Sequence, residues 1–403
     1  MKQFRISKVV ACCIPLLLLV ACGCAEEKPV PPGLTVENGQ FCKDGKPFYG
    51  VGINYFSCFI RITGMVPNGP KPDNRDYVEG FRTLKSYNIP FVRFCAGGFF
   101  PDDWKLYRTD KELYFKLLDG LVAEAEKQGM GLIPSLFWTY STIPDLMGES
   151  LDQLGNPKSK TQAFIRQYTT EVVSRYKDSP AIWGWEFGNE WIHEADLPQA
   201  EFGRGWIAPE FGTPAVRSAK DKMFRPTIDA AYRAFYETVR ALDQTRPVFT
   251  GDSMPRPAAW HHRNGGTWDE DSPEQWKEML LADNPFGTLA VHFYYYRKED
   301  RPRDVGVLQY DPAEQMAFLM KISAQAGKPL FIGEFGQTAD PSLSVEKQYL
   351  QLNEMLRMIV QNHVQLSALW NFDFEHKDQN HCNITATNER AGMLELLKRI
   401  NTN

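Results

Sequence analysis

Two glutamates stand at the ends of short apolar runs, in places where a purely structural residue is seldom charged. Glu190 closes the stretch that begins at Trp183, and Glu334 lies within Leu330–Gly336. In a barrel of parallel strands, catalytic residues come from the carboxyl ends of the strands. Hydrolysis of a glycosidic bond requires two carboxyl groups, one to protonate the leaving oxygen and one to meet the oxocarbenium-like centre. The two glutamates therefore predict chemistry on a sugar.

That chemistry places different demands on the two groups. In a retaining enzyme the carboxyl groups lie about 5–5.5 Å apart. The general acid must hold a proton near neutral pH, so we expect burial and a nearby carboxylate to raise its pKa. The nucleophile must stay ionised, so we expect cationic or hydroxyl donors around it.

Short apolar runs alternate with longer amphipathic stretches along the chain, as in a (β/α)8 barrel. The eight runs are Tyr49–Ile53, Pro90–Phe94, Gly131–Leu136, Ile182–Phe187, Arg246–Thr250, Leu289–Phe293, Pro329–Ile332 and Leu366–Trp370. The amphipathic stretches are Tyr77–Ser86, Lys111–Gln128, Thr161–Arg175, Ile228–Leu242, Glu274–Leu281, Pro312–Ala326, Val345–Asn362 and Ala391–Ile400. A doubly wound open sheet is the structural rival, but the chain has no GxGxxG motif to support it.

Residues 34–403 are predicted to form this single barrel domain. Asn38-Gly39, between alternating residues, predicts a small N-terminal hairpin with a type I′ turn. Long irregular segments follow the predicted strands and would lie on the catalytic face. Aromatic residues in these segments favour a cleft that stacks sugars, and they are Trp191, Trp206, Trp260, Tyr294, Tyr295, Tyr296 and Phe372.

In the order and spacing of these motifs the chain resembles glycoside hydrolase family 5, the cellulase family A of retaining barrel hydrolases. Asn189-Glu190 ends the fourth run, where the family carries its acid/base, and Glu334 ends the seventh, where it carries its nucleophile. The resemblance implies that Asn189 binds the sugar 2-hydroxyl and that Arg93 holds the nucleophile. It further implies that Tyr294 donates to Glu334.

Four more residues complete the predicted site. His292, in the sixth run, would line the site, and Trp370, in the eighth run, would form a stacking platform. Many cellulases of the family carry a histidine at the end of the third strand, whereas this segment ends with Trp138. The family's β-mannanases often lack that histidine and place an aromatic residue nearby, which favours a mannan-type substrate. Trp138 and Trp191 are therefore counted among the substrate-binding residues.

Other readings of the site stay open at this stage. A β-1,4-glucanase or an exo-acting enzyme of the same family is the main alternative, because the mannanase arginine soon after the acid/base is replaced here by Trp191-Ile-His193. Glu186 competes with Glu190 for the same run, and Asp252 is a second candidate for binding. A metal-dependent hydrolase would need histidine and aspartate at several strand ends. His261-His262 and Asp269-Glu270-Asp271 could suggest a metal site, but the sequence has no HExxH or EF-hand pattern, so we interpret them as surface residues. We therefore expect no metal and no cofactor.

The first residues are predicted to lie outside the fold. A basic segment precedes the apolar residues 9–21, which are too few to span a bilayer comfortably. Leu19-Val-Ala-Cys22 resembles the lipobox of bacterial lipoproteins, which implies cleavage after residue 21 and acylation of Cys22. Residues 22–33 would then form a tether, and the domain would be anchored to the cell envelope, with the outer membrane or cell surface favoured.

Composition limits the partners. The net charge of −5 over 403 residues argues against nucleic acid or another polyanion. The expected partners are a β-linked glycan and, through the anchor, a membrane, and the protein is expected to be a monomer. A non-catalytic glycan-binding lipoprotein is the alternative of another class, but it would require the loss of one carboxylate, and both are present.

Overall fold

The computed structural model describes residues 31–64, 71–198, 216–282, 285–296, 310–337, 342–376 and 380–402. The strands in these ranges are β1 (Leu34–Glu37), β2 (Gln40–Lys43), β3 (Lys46–Pro47), β4 (Gly50–Asn54), β5 (Phe91–Cys95), β6 (Gly131–Phe137), β7 (Trp185–Gly188), β8 (Val248–Phe249), β9 (Leu289–Tyr294), β10 (Leu330–Gly336) and β11 (Leu366–Leu369). The helices are α1 (Ile60–Thr63), α2 (Asp76–Ser86), α3 (Lys105–Thr109), α4 (Lys111–Gln128), α5 (Thr142–Met147), α6 (Lys160–Tyr176), α7 (Arg225–Leu242), α8 (Ala259–Gly265), α9 (Pro273–Leu281), α10 (Pro312–Ala326), α11 (Val345–Gln361) and α12 (Ala391–Thr402).

Strands β4 to β11 form one parallel sheet that curls into a barrel. Neighbouring strands follow the order β8-β7-β6-β5-β4-β11-β10-β9. The first and last of these strands along the chain, β4 and β11, are therefore paired. The remaining seam, between β8 and β9, is bridged by the Thr288 hydroxyl, which donates to the carbonyl of Val248 at 2.6 Å. A long helix follows each of the eight strands, which confirms the predicted (β/α)8 barrel.

Helix α4 shows how the local sequence builds this layer. The Asp110 side chain accepts a hydrogen bond from the backbone N–H of Leu113 and caps the first turn, and Gly129 ends the helix in the left-handed conformation. Apolar residues at helical spacing then turn one face toward the sheet. Phe115, Leu118, Leu121, Val122 and Ala125 lie on this face, and all five are buried.

The amino-terminal hairpin is confirmed and is longer than expected. Asn38 and Gly39 both have positive φ, as a type I′ turn requires, and a second such turn at Asp44 and Gly45 adds β3 to the antiparallel pair. Phe41 from β2 packs on Phe249 in a cluster with residues that begin several barrel strands. The hairpin therefore closes the end of the barrel opposite the catalytic face.

Two segments expected to be irregular contain short helices. Residues 139–160 include α5, which ends at the left-handed Gly148 and buries Ile143, and residues 251–273 include α8, which ends at the left-handed Gly266. Both helices are shorter than two and a half turns, so they carry too little apolar periodicity to be read from sequence.

Several sequence-based expectations fall outside the described residues. They are the leader 1–21, the acylated Cys22, most of the tether 22–33, and Trp206. Within the described ranges, no helix has both the length and the apolar character needed to cross a membrane.

Candidate active site

Glu334 lies inside β10, where the strand departs from regular pairing. The register between β10 and β9 shifts between Ile332 and Glu334, and Gly333 occupies the irregularity. A Cβ at Gly333 would come within 3.1 Å of Nε2 of His292, so the close approach of this imidazole favours glycine. The bulge re-aims the next side chain, as bulges near active sites do, and Glu334 turns toward the mouth of the barrel.

The Glu334 carboxylate is held by one cation and one hydroxyl group. Nη1 of Arg93 donates to Oε1 at 2.8 Å, and the Tyr294 hydroxyl donates to Oε2 at 2.6 Å. Burial, followed by the charge of Glu334, raises the pKa of Tyr294 well above its usual value, so the hydroxyl keeps its proton and remains a donor. These are the surroundings expected for a carboxylate that must stay ionised.

Arg93 organises the floor of the site. This fully buried side chain donates to four side-chain oxygens on different elements. The acceptors are Asn54 Oδ1 at 3.0 Å, Glu186 Oε1 at 2.7 Å, Asn189 Oδ1 at 2.8 Å and Glu334 Oε1 at 2.8 Å. Glu186 therefore positions Arg93 from below. This structural role argues against Glu186 as the catalytic carboxylate that the sequence left open.

Glu190 directly follows the short turn after β7 and has a left-handed backbone, with φ of 54°. Such a conformation costs a non-glycine residue on the order of 1–3 kcal/mol and is concentrated at functional sites. The backbone N–H of Glu190 donates to the carbonyl of Gly251 at 2.9 Å, which fixes the turn. Its side chain, about one-third exposed at 33%, reaches the cleft beside His292.

The electrostatics of Glu190 differ from the expectation for a resting general acid. Burial raises its pKa, but the charges of His193, His292 and Arg93, together with a hydrogen bond from His292, outweigh burial and lower the pKa to about 2. Nδ1 of His292 lies 2.9 Å from Oε1 of Glu190. The unliganded site therefore favours the carboxylate form, because imidazoles rather than a carboxylate are the nearest partners of this oxygen.

The two glutamates face each other across a short gap. One oxygen of Glu190, one oxygen of Glu334 and one nitrogen of His292 all lie within 4.8 Å of one another. This spacing suits the closely placed carboxyl groups of a retaining glycosidase and is too short for the wider pair of an inverting one. The same three groups could also approach a cation, but Arg93 already supplies positive charge at Glu334.

A cleft of about 590 Å³ opens in front of the glutamates. Its lining residues are Phe56, Phe99, Phe100, Trp138, Asn189, Glu190, Tyr294, Glu334, Trp370, Phe374, His376, His381 and Cys382. Trp138 lies with its ring 4.6 Å from the Arg93 guanidinium and 6.1 Å from the ring of Trp370. Only 5% of Trp138 is exposed, so its ring packs against Arg93 and also forms part of the cleft wall.

Several aromatic residues expected in the cleft have other positions. Trp191 is 1% exposed, and its indole N–H donates to the carbonyls of Phe137 and Trp138, so the structure places it beneath the strand ends. Tyr295 is buried and donates to Glu354, and Phe372 is buried. The left-handed turn at Glu190 directs the next residue inward, which the sequence does not show.

Other candidates from the sequence prove to be structural. Asp252 is buried and accepts hydrogen bonds from the Tyr232 hydroxyl at 2.6 Å and from the N–H of Ile192 at 3.3 Å. His261 pairs with Asp271 at 2.8 Å at the start of α8. Asp252 therefore supports the turn after Glu190 from below, and the His261 pair belongs to the fold of its own loop.

Sequence reasoning missed one partner of Arg93, Asn54, and part of the cleft wall. Asn54, at the end of β4, carried a usable signal, because a polar residue that closes a barrel strand points to the catalytic face. The residues that follow β11 carried none, since neither periodicity nor a motif marks them; they are Phe374, His376, His381 and Cys382.

Removal of Arg93 is expected to cost both stability and activity. Arg93→Leu leaves Glu186 and Glu334 buried without their cation, and the loss of one partner of a buried ion pair costs about 3–5 kcal/mol. Urea denaturation followed by circular dichroism measures the loss. Arg175→Leu, which breaks the half-exposed pair with Asp119, is the matched control and should cost less than about 1 kcal/mol. Equal losses in the two variants would contradict the central role of Arg93.

The fourth and seventh strands of this (β/α)8 barrel bring two carboxylates together over an arginine. This arrangement is typical of retaining glycoside hydrolases and places the protein in that class. The family model described as Cellulase (glycosyl hydrolase family 5) matches residues 61–375. The chain belongs to glycosyl hydrolase family 5.

Curated relatives agree with this placement. The chain is 39% identical over 225 residues to the probable mannan endo-1,4-beta-mannosidase F of Aspergillus flavus, a match that covers 54% of this chain and 41% of that protein. It is 28% identical over 195 residues to the probable mannan endo-1,4-beta-mannosidase C of Aspergillus terreus, covering 43% of this chain and 47% of that protein. The chain thus spans less than half the length of these curated relatives.

The fold is shared with solved enzymes at low identity. The endo-1,4-beta-mannanase from Rhizomucor miehei superposes with a TM-score of 0.62 at 16% identity, over 92% of this chain and 99% of that chain. An endoglucanase from Thermotoga maritima superposes with a TM-score of 0.52 at 16% identity, over 86% of this chain and 96% of that chain. At such identities the likeness concerns the fold alone.

Proposed function

We propose that the protein hydrolyses internal β-1,4 bonds of a mannan by double displacement. The observation that carries the chemistry is the 4.8 Å grouping of Glu190 and Glu334 with Arg93 and Tyr294 bound to Glu334. The names of the curated relatives support mannan as the polymer, and the absence of a histidine at the end of β6 agrees with that choice.

In the first step Glu334 attacks the anomeric carbon while Glu190 gives its proton to the leaving oxygen. A covalent glycosyl–enzyme intermediate forms, and the aglycone departs. Arg93 and Tyr294 keep Glu334 ionised and aimed until attack. Because the resting site favours the Glu190 carboxylate, Glu190 must take up a proton from solvent before this step. The approach of the sugar oxygen and the loss of water around Glu190 raise its pKa and so favour that uptake.

In the second step Glu190 acts as a base and takes a proton from water, which attacks the anomeric carbon and releases Glu334. The lowered pKa of Glu190 keeps it in the carboxylate form, which is the form that can accept this proton. Asn189 accepts from Arg93 through its Oδ1, which leaves its amide N–H groups for the sugar 2-hydroxyl, while Trp370 offers a ring for stacking beside it.

Release of reducing ends from a panel of polysaccharides tests the substrate. β-Mannan, galactomannan and glucomannan are expected to be cleaved, and cellulose derivatives, mixed-linkage glucan and xylan are expected to be cleaved far more slowly. Activity on glucans alone would replace the mannan assignment with the glucanase alternative, for which the endoglucanase fold is a precedent. A chelator added to the same assay tests the metal-dependent alternative, and activity is expected to persist.

We further propose that Cys22 is acylated and anchors the domain to the bacterial cell envelope. The support is the sequence Leu19-Val-Ala-Cys22 after a basic and apolar leader. In a bacterial host, detergent phase partitioning is expected to place the wild-type protein in the detergent phase and Cys22→Ser in the aqueous phase. Equal partitioning of the two proteins would refute the anchor.

A further inference from the structure

One oxygen of Glu190 faces two imidazoles on opposite elements. Nδ1 of His292, from β9, lies 2.9 Å from Oε1, and Nε2 of His193, from the turn just after Glu190, lies 3.8 Å from the same atom. The His292 side chain is 1% exposed, whereas that of His193 is 30% exposed. His193 therefore combines contact with Glu190 and access to solvent.

The position of His193 is set by its backbone. Its N–H donates to the carbonyl of Glu190 at 3.0 Å, so the two residues share one tight turn. Arg256, which is buried, donates from Nη1 to the carbonyl of His193 and from Nη2 to the carbonyl of Ala195. The imidazole is thus carried to Glu190 by a clamped turn, and side-chain changes at His193 leave the clamp in place.

The other charged groups around Glu190 are already committed. Arg93, from β5, is bound to Glu186 and Glu334, and Glu334, from β10, is bound to Arg93 and Tyr294. The hydroxyl of Tyr294 is neutral, and Asp252, from the segment after β8, accepts from Tyr232 and from the N–H of Ile192. His292 completes the set from β9. Within the described residues, His193 is the member of this set that is exposed to solvent and can carry a positive charge.

We propose that His193 is a positioning residue whose protonation sets the proton affinity of Glu190. The inference rests on the proposed role of Glu190 as the acid/base. A protonated imidazole favours the carboxylate, the form that activates water in the second step, and a neutral imidazole favours the protonated form that expels the aglycone. Imidazole is the side chain whose charge changes most readily near neutral pH, so the turn couples solution pH to the balance of the two steps.

The direction of the pKa shift at Glu190 agrees with this geometry. After burial, which raises the pKa, the charge of His193 is the largest influence on Glu190 and lowers the pKa.

Two substitutions of opposite sign test the proposal. His193→Gln removes the charge, and His193→Lys makes it permanent over the working range of pH. The alkaline limb of kcat/KM reports loss of the proton from the general acid. We expect the limb to move up by about half a unit to one unit in His193→Gln and down by a similar amount in His193→Lys, which corresponds to about a threefold to tenfold change in the ionisation constant. A merely structural role would lower the rate in both variants without moving the limb in opposite directions.

A second measurement reads Glu190 without any substrate. The protein is labelled with ¹³C at the glutamate carboxyl groups, and the Glu190 resonance is assigned by its loss in Glu190→Gln. Because His193 is already charged in the acid range where Glu190 titrates, the midpoint is expected to rise in His193→Gln and to stay near the wild-type value in His193→Lys and in His363→Gln. His363 serves as the control because it lies beside Tyr49 and Val360, at the end of the barrel away from the cleft.

The two readouts separate the possible failures. An unchanged midpoint in His193→Gln would overturn the inference, whatever the activity. Midpoints that move as expected in a protein that cleaves no glycan would retain the coupling and refute the proposed function instead. Midpoints that move while the limb of kcat/KM stays fixed would show that Glu190 is not the group that limits the alkaline side, and would overturn the catalytic part of the inference.

Discussion

Glu334→Gln is expected to lower the rate of mannan hydrolysis by on the order of 10⁴-fold or more while leaving the fold intact, because catalytic residues that act as a unit carry effects of that size. The amide keeps the shape of the side chain, and its single oxygen can still accept from Arg93, but the amide cannot form the glycosyl–enzyme intermediate. Reducing-end assays with wild type and variant side by side measure the loss, and circular dichroism checks the fold.

Glu354→Gln is the matched control for this experiment. Glu354 accepts a tyrosine hydroxyl, that of Tyr295, at 2.5 Å, as Glu334 accepts that of Tyr294 at 2.6 Å, but it does not line the cleft with Glu334. Activity should therefore persist in Glu354→Gln. A Glu334→Gln protein that retains more than a small fraction of wild-type turnover would refute the nucleophile assignment.

Glu190→Gln is expected to show a loss that depends on the leaving group. A sugar leaves only with a proton, so hydrolysis of mannan or mannooligosaccharides should fall by about 10²–10⁴-fold, the usual contribution of a general acid or base. A dinitrophenyl glycoside leaves as a stable phenolate without a proton, so formation of its glycosyl–enzyme should be nearly as fast as in wild type. Burst kinetics with the dinitrophenyl substrate would then show rapid release of one equivalent, followed by slow turnover, because the base for the second step is also missing.

Glu186→Gln tests whether Glu186, in β7, or Glu190, in the turn that follows, is the acid/base. Glu186 accepts from Nε of Arg93 at 2.7 Å and is fully buried, so its variant should lose activity equally on both kinds of substrate, through the position of Arg93. A leaving-group dependence in Glu186→Gln, and its absence in Glu190→Gln, would reverse the assignment of the acid/base.

The barrel could be predicted because its strands leave a strong trace in the sequence. A parallel strand buried on both faces reads as a continuous apolar run, and the first polar residue after the run marks the catalytic end. Glu190 and Glu334 were found in this way, whereas Arg93 and Asn189 were predicted from the resemblance to glycoside hydrolase family 5. The structure brings all four together. The long helices were predictable for a similar reason, since each presents one apolar stripe to the sheet.

The remaining parts of the site depend on features that periodicity does not record. Trp191 follows a residue with a left-handed backbone, and that single dihedral decides between cleft and core. The convergence of Asn54, Glu186 and Asn189 on Arg93 depends on the stagger between neighbouring strands. The pKa of Glu190 depends on two imidazoles from different elements, so its direction could not be obtained from the spacing of the carboxylates.

The contacts between the two ends of the chain have a consequence for the order of folding. The Gln365 side chain pairs with the backbone N–H and carbonyl of Phe41 across 324 residues, and Asn401 pairs in the same way with Val51 across 350 residues. Strand β4 likewise completes the barrel only by pairing with β11. Contacts between segments so distant in sequence form slowly, because loop closure must precede them. The early strand β4 therefore waits for β11 and α12 to be made on the ribosome, and the barrel closes only after that point.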